Sequence, residues 1–125
     1  MPTLQEMLST ANDEVPKVTA EEAHELISGR DALLVDVRDA PELATQGKLR
    51  GAINVSRGML EFRADPGNTN HNPEFRLDRP VILYCASGGR SALAGKTLRD
   101  MDYTEVYNLG AFKDAAADGF PTEPA

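Results

Sequence analysis

The only cysteine of the chain, Cys85, lies where a run of apolar residues, 81–84, gives way to a stretch of small residues. That stretch, 86–89, reads Ala-Ser-Gly-Gly, and Arg90 and a helical pattern follow it. A strand that ends in such a loop and continues as a helix directs backbone N–H groups and the positive end of the helix dipole at whatever the loop holds. A thiol in this position ionises more readily than a free one, and the thiolate is the nucleophilic form. The sequence therefore predicts a nucleophilic cysteine.

The distribution of charge favours a small anionic substrate for this cysteine. The chain carries 13 basic and 20 acidic side chains, a formal net charge of −7. Residues 48–99 nevertheless carry nine basic and only four acidic side chains, and residues 85–99 carry no acidic one. Proteins that bind nucleic acid normally present a basic domain, so no nucleic-acid partner is expected. We assign a functional role to Arg90, which lies inside the loop, and a solvated helix face to Lys96 and Arg99.

Length and composition limit the remaining possibilities. A chain of 125 residues predicts a single domain over residues 1–125 with one core, in which residues 1–16 form an N-terminal helical extension. No leader pattern or membrane-length apolar stretch is present, so we expect a cytoplasmic protein with no membrane partner, provided that no leader has been removed. One cysteine excludes an internal disulfide. Because the two histidines are distant in sequence from each other and from Cys85, no metal site is expected.

Strands and helices are predicted to alternate along the chain. Five strands are predicted, at residues 17–18, 33–37, 52–55, 81–84 and 105–109. Helices are predicted at about residues 3–11, 19–28, 41–44, 58–63, 91–101 and 111–118. The second of these begins with a capping box, Thr19 and Glu22, and is expected to stop at Gly29; Ser56 is expected to cap the fourth.

This alternation predicts an α/β fold, a five-stranded and largely parallel sheet with helices on both faces. In such sheets, ligands bind beyond the carboxyl ends of the strands. Cys85, Asp36 and Arg38 all follow or end predicted strands. The sequence therefore predicts that these three residues lie at the same edge of the sheet.

Four segments of the chain resemble motifs of the single-domain rhodaneses, a family of sulfurtransferases. They are Val-Asp-Val-Arg at 35–38, Gly-Ala-Ile-Asn-Val at 51–55, Tyr-Cys-Ala-Ser-Gly-Gly-Arg-Ser at 84–91 and Asn-Leu-Gly at 108–110. They occur in the order and spacing of the family and cover about residues 17–121. The chain departs from the family at 48–50, Lys-Leu-Arg where His-Ile-Pro is common, and at Ala111, where a second glycine is common. The resemblance implies a rhodanese-like fold.

In that family the cysteine attacks the outer sulfur of a donor such as thiosulfate, becomes a persulfide, and passes the sulfur to cyanide or a thiol. The resemblance implies that Cys85 is catalytic, that no cofactor or metal is needed, and that backbone N–H groups solvate the sulfur anions. It assigns the substrate and persulfide loop to Ala86, Ser87, Gly88, Gly89, Arg90 and Ser91. Asp36, Arg38 and Arg57 are candidate supporting residues. The alternatives are a structural salt bridge between Asp36 and Arg38 and an ordinary surface arginine at position 57.

Two other classes of function remain open. Cysteine-based phosphatases and arsenate reductases place five residues between cysteine and arginine, whereas only four separate Cys85 from Arg90. Arsenate reduction usually also needs a second cysteine, which this chain lacks. A non-catalytic or regulatory rhodanese-like binding module is the other alternative, but such modules often lose the cysteine. The expected partners are a small anionic sulfur donor and a thiol or cyanide acceptor, and a protein sulfur donor or acceptor is compatible with them.

Overall fold

A parallel sheet of four strands forms the centre of the computed structural model, which describes residues 1–125. The strands lie in the order β3 (Ile53–Asn54), β1 (Leu33–Asp36), β4 (Val81–Cys85) and β5 (Val106–Ala111). All three neighbouring pairs are parallel, and every residue of β1 and β4 is buried. Continuous apolar runs are typical of parallel strands covered on both faces. The carboxyl ends of the four strands therefore meet at one edge of the sheet.

Helices cover both faces of this sheet and complete two separate cores. They are α1 (Leu4–Glu14), α2 (Ala20–Arg30), α3 (Ala40–Gln46), α4 (Leu60–Ala64), α5 (Gly89–Asp100) and α6 (Phe112–Ala117), with a 3₁₀ helix at Arg57–Met59. Successive side chains of a strand point to opposite faces. Val81, Leu83 and Cys85 accordingly share a core with α4 and α5, whereas Ile82 and Tyr84 share one with α2 and α6. Cys85 and Tyr84 are thus neighbours in sequence that belong to different cores.

The predicted α/β class is confirmed, but the main sheet has four strands rather than five. The predicted first strand, Lys17 and Val18, makes one parallel bridge, between Lys17 and Asn108. The backbone N–H of Val18 donates to the Asn108 carbonyl at 3.1 Å, and the backbone N–H of Asn108 donates to the Pro16 carbonyl at 2.9 Å. Because Thr19 already caps α2, only two residues are free to pair, which is too few for a longer ladder.

The beginning of α2 is predicted correctly and its end is not. Thr19 and Glu22 form the expected capping box. The helix continues past Gly29, and Asp31 takes the left-handed conformation, with φ of 55°, that ends it. Aspartate is one of the few residues other than glycine that tolerates this conformation. The glycine therefore marks the last turn of the helix without supplying its cap.

A second, small sheet was not predicted. It joins β2 (Lys48–Leu49) to β6 (Thr122–Glu123) in antiparallel pairing. The predicted cap Ser56 makes no capping hydrogen bond with its side chain, and the 3₁₀ helix separates it from α4. None of the helices combines the length and the apolar character that crossing a membrane requires.

Candidate active site

Cys85 is the last residue of β4, and its side chain is fully buried. The backbone N–H of Gly88 donates a hydrogen bond to Cys85 Sγ, with a nitrogen–sulfur distance of 3.0 Å. Helix α5 begins at the next residue, Gly89. The positive end of the helix dipole therefore lies beside the sulfur atom, where it stabilises negative charge. This is the strand, loop and helix arrangement that the sequence predicts.

Hydrogen bonds to the sulfur make the thiol of Cys85 more acidic than an ordinary cysteine. Burial is the largest single influence and opposes ionisation, because it removes the thiolate from water. The backbone N–H groups of Ser87, Gly88 and Ser91 favour the thiolate, and so does the Ser91 side chain when its hydroxyl donates to the sulfur. Together they outweigh burial, so the pKa of Cys85 lies below its usual value. The loop can therefore hold a nucleophilic sulfur anion.

Gly88 gives the loop its shape. Its φ is 96°, in the left-handed region where residues with a Cβ are strained. A Cβ on Gly88 would also lie 3.4 Å from the Cα atom of Gly110 in β5. Glycine at this position allows the chain to turn against β5 while its own N–H group points at the sulfur of Cys85.

Ser91 links the loop to β5 through a buried network of hydrogen bonds. Its Oγ lies 3.5 Å from Cys85 Sγ and donates to Asn108 Oδ1 at 2.7 Å. Asn108 is only 3% exposed; its Nδ2 donates to the Gly88 carbonyl at 3.2 Å, and its Oδ1 accepts from the Gly110 N–H at 2.9 Å. Asn108 belongs to the family-like segment 108–110 but is not among the predicted site residues, although a polar residue inside a predicted strand is an available signal.

Arg90 forms a two-pronged ion pair with Glu42 of α3. Nη1 and Nη2 of Arg90 lie 2.8 and 2.9 Å from the two carboxylate oxygens, and Glu42 also accepts from the backbone N–H of Asp39 at 2.8 Å. The hydrogen bonds from Arg90 are the main reason that the pKa of Glu42 falls to about 2. The pairing raises the pKa of Arg90, whose charge also acts on Cys85. Sequence reasoning missed Glu42, although its spacing from Asp39 is that of a capping box.

Asp36 and Arg38 form an ion pair on the face of the sheet opposite to the Cys85 side chain. Arg38 Nη2 lies 2.7 Å from Asp36 Oδ2, and both side chains are completely buried. The guanidinium of Arg38 also lies 4.4 Å from the centre of the Phe112 ring. Asp36 is in register with Tyr84, so it shares the face of Tyr84 and not that of Cys85. Arg38 also donates to the Gly47 carbonyl at 2.8 Å, at the end of α3, so the pair is joined to the helix that carries Glu42.

Arg57 lies away from the loop. It pairs with Glu61 at 3.0 Å and donates to Thr97 Oγ1 at 2.9 Å. Thr97 follows Gly89 by eight residues, which corresponds to about 12 Å along α5. These contacts match the alternative of an ordinary surface arginine.

A cavity of about 380 Å³ adjoins the outer side of the loop. Ser87, Gly88 and Gly89 form one part of its wall, and Leu8 and Asn12 of α1 form another. The N-terminal helix therefore reaches the loop that holds the sulfur.

Comparison with known proteins places the chain in a family. The family model of the rhodanese-like domain matches residues 19–117. A sulfurtransferase of Allochromatium vinosum is 34% identical over 77% of this chain and 82% of its own length. Thiosulfate sulfurtransferase GlpE of Actinobacillus succinogenes is 30% identical over 87% of this chain and 91% of its own length. The uncharacterized protein YqhL of Bacillus subtilis is 41% identical over 67% of this chain, and the match spans 60% of that protein.

Solved structures agree with this placement. A Rhodopseudomonas palustris protein of unknown function, described as a possible tyrosine phosphatase, superposes with a TM-score of 0.88 at 36% identity, covering 98% of this chain and 96% of its own. The human single-domain sulfurtransferase TSTD1 superposes with a TM-score of 0.68 at 29% identity, covering 82% of this chain and 96% of its own. The relatives named as sulfurtransferases support a sulfur-transfer enzyme in general terms. With the family match extending over residues 19–117, the chain belongs to the rhodanese-like domain family.

Proposed function

We propose that this protein is a sulfurtransferase that moves sulfane sulfur from a donor such as thiosulfate to cyanide or a thiol through a persulfide on Cys85. The observation that carries the proposal is the hydrogen bond of 3.0 Å from the Gly88 N–H to Cys85 Sγ. It lies at the end of a parallel strand and at the beginning of α5, where negative charge on sulfur is stabilised. The similarity to proteins named as sulfurtransferases supports the same reaction class.

The first half of the reaction loads sulfur onto the enzyme. The Cys85 thiolate attacks the outer sulfur of thiosulfate, so a new sulfur–sulfur bond forms at Sγ. The sulfur–sulfur bond of thiosulfate breaks, and its electron pair leaves with sulfite. The Gly88 N–H and the other N–H groups of the loop stabilise the persulfide anion, as an oxyanion hole stabilises a developing charge. Because Cys85 is fully buried, the loop has to move aside to admit the donor.

The second half regenerates the thiolate. Cyanide, or a thiol in its thiolate form, attacks the outer sulfur of the persulfide. The electron pair of the persulfide bond returns to Sγ, and thiocyanate or a new persulfide leaves. Covalent catalysis thus divides the transfer into two displacements at the sulfane sulfur. The oxidising equivalent that thiosulfate brings is carried by the persulfide to the acceptor, so no other oxidant or reductant is needed.

Phosphate-ester hydrolysis is the second candidate, because the Rhodopseudomonas palustris protein is described as a possible tyrosine phosphatase. Two features favour sulfur transfer over it. The loop has four residues between Cys85 and Arg90, one fewer than phosphatase loops have. Both terminal nitrogens of Arg90 are also bound by Glu42, which leaves the guanidinium poorly placed to hold a phosphate.

Intact mass spectrometry after incubation with thiosulfate tests the proposal. We expect wild type to gain one sulfur atom, to release sulfite, and to form thiocyanate once cyanide is added. Cys85→Ser should lose all three while keeping the wild-type circular dichroism spectrum, since a hydroxyl is close in size to a thiol but far less acidic. Both proteins are also assayed on an aryl phosphate.

Two results would contradict sulfur transfer. Phosphate release by wild type that disappears in Cys85→Ser would establish the phosphatase instead. An unchanged mass with thiosulfate and with polysulfide, and no phosphate release, would identify a non-catalytic binding module.

A further inference from the structure

The hydroxyl of Ser91 has a single proton and three acceptors within reach. Its Oγ lies 2.7 Å from Asn108 Oδ1, 3.2 Å from the Gly88 carbonyl oxygen and 3.5 Å from Cys85 Sγ. Because the amide oxygen of Asn108 can only accept, the contact of 2.7 Å requires Ser91 to donate to it, whereas in the contact of 3.5 Å with sulfur either atom can be the donor. The proton therefore lies on the line to Asn108, and a lone pair of Ser91 Oγ is left to accept the S–H of the thiol.

We propose that Asn108 is a positioning residue that sets the acidity of Cys85 by holding the Ser91 proton away from the sulfur. The proposal rests on the proposed function only in taking Cys85 as the nucleophile. In the thiol form, the S–H donates to Ser91 and Ser91 donates to Asn108, a chain that stabilises neutral sulfur. Before Ser91 can donate to the thiolate, its hydroxyl has to turn and give up the bond of 2.7 Å to Asn108.

The orientation of the Asn108 amide is fixed by its other two contacts. Oδ1 accepts from the Gly110 N–H at 2.9 Å, and Nδ2 donates to the Gly88 carbonyl at 3.2 Å. If the amide were turned over, two donors would meet at Gly110 and two acceptors at Gly88, and both bonds would be lost. The acceptor end of Asn108 is thus committed to Ser91.

A bulge in β5 brings Asn108 into this position. Leu83 of β4 pairs with Asn108 and Tyr84 pairs with Gly110, so Leu109 has no partner across the ladder. A bulge redirects the side chains beside it and is frequent next to active sites. The extra residue lets the Asn108 side chain reach the Gly110 N–H and the loop at once.

The charged groups around the sulfur pair with one another and make no hydrogen bond to the side chains of Ser91 and Asn108. From α5, Arg90 acts on Cys85 and is itself paired with Glu42 of α3. From the end of β1, Asp36 is paired with Arg38 on the opposite face. None of the four charged side chains bonds to the Ser91 hydroxyl or the Asn108 amide. A substitution at position 108 therefore leaves the charges in place.

Ultraviolet absorbance of the thiolate, followed against pH, measures this effect without a sulfur donor, and Cys85→Ser supplies the background. Asn108→Leu keeps the size of the side chain and removes the acceptor at 2.7 Å, which leaves the Ser91 proton to the Gly88 carbonyl or the sulfur. Once the thiol ionises, the charged sulfur is the stronger acceptor. We expect it to lower the titration midpoint by about half a pH unit or more, the effect of one modest hydrogen bond. Asn108→Asp, a stronger acceptor that adds negative charge, should raise the midpoint. Asn54→Leu is the matched control, because Asn54 Nδ2 bonds to the carbonyls of Asp36 and Arg38; no shift is expected.

A second background separates this proposal from a merely structural role. In Ser91→Ala, the substitution Asn108→Leu should no longer lower the midpoint, because there is no proton to release. A midpoint that rises or stays unchanged in Asn108→Leu, or falls equally with Ser91→Ala, would overturn the proposal. If Asn108→Leu does not fold, the upward shift in Asn108→Asp must shrink in the Ser91→Ala background, and an undiminished shift would overturn it. If the titration midpoints shift as expected but no sulfur is transferred, the proposed reaction is rejected and the proposed role of Asn108 is retained.

Discussion

Two ion pairs lie near the carboxyl edge of the sheet, and they differ in burial and in what they reach. Asp36 and Arg38 are both completely buried, on the face of Tyr84. The side chains of Arg90 and Glu42 are 38% and 33% exposed, and Arg90 acts on the sulfur of Cys85. The buried pair therefore joins the end of β1 to the end of α3, whereas the more exposed pair joins α3 to the loop. Position at a strand end does not identify a site residue unless the face of the strand is also known.

The largest effect on stability is expected when the buried pair is broken. Arg38→Met leaves the Asp36 carboxylate without its partner in a place that water does not reach. We expect the free energy of unfolding to fall by about 3–5 kcal/mol, the usual cost of removing one member of a buried pair. Urea denaturation gives the value, and the thiolate titration of the folded protein should keep the wild-type midpoint.

The matched control for that variant is Arg57→Met, which breaks a partly exposed pair with Glu61 and a hydrogen bond to Thr97 and should cost no more than about 2 kcal/mol. If the free energy of unfolding fell equally in the two arginine variants, burial would not make one ion pair more important for stability than the other. A shifted pH midpoint of the Cys85 titration in Arg38→Met would show that the buried pair also influences the thiol.

A smaller loss is expected from Gly88→Ala. The left-handed φ of 96° costs a residue with a Cβ about 1–2 kcal/mol, and the new Cβ would lie in contact with the Gly110 Cα, at 3.4 Å. Gly119→Ala is the control, because φ there is 100° and no atom lies within 4 Å of the added Cβ. Both variants should lose stability, but only Gly88→Ala should raise the thiol midpoint and slow sulfur transfer. Equal thiol midpoints in the two variants would mean that the Gly88 N–H does not tune the sulfur.

The strand, the loop and the helix around Cys85 could be predicted from the sequence because their signals are local. The apolar run of β4, the paired glycines and the helical pattern are contiguous. Glu42 and Asn108 could not be assigned in the same way, because they lie 48 and 17 residues from their loop partners Arg90 and Ser91. Such contacts depend on strand order and register, which the alternating pattern leaves open.

The predictions for Asp36 and for a strand at Lys17 illustrate the same limit. Asp36 was placed at the correct edge, but its face follows from its register with Tyr84, which is a relation between two strands. Lys17 does bridge to β5, yet the cap of α2 at Thr19 leaves no length for a strand. Local patterns gave the element types, and competition between adjacent elements decided their lengths.

The smallest expected effect is the acid dependence that Glu42 gives to stability. Its pKa in the folded protein is lowered to about 2, chiefly by the hydrogen bonds from Arg90, against about 4.3 in an unfolded chain. A carboxyl group with a lowered pKa stabilises the fold above the unfolded value, and this contribution is lost as the pH falls through the folded value. Glu42→Gln cannot titrate, so it should be less stable than wild type at neutral pH, by no more than about 1 kcal/mol for a partly exposed pair.

The difference between the two proteins should then shrink as the pH falls from about 4.3 to about 2. Urea denaturation of both proteins across this range measures it. The control is Glu61→Gln, which removes a carboxylate from the surface pair with Arg57. It should leave the thiol midpoint unchanged, whereas Glu42→Gln should lower that midpoint, because the charge of Arg90 is no longer neutralised beside Cys85. A stability difference that is constant with pH would show that Glu42 is not held as a carboxylate by Arg90, and the contrast with the buried pair would then lose its basis.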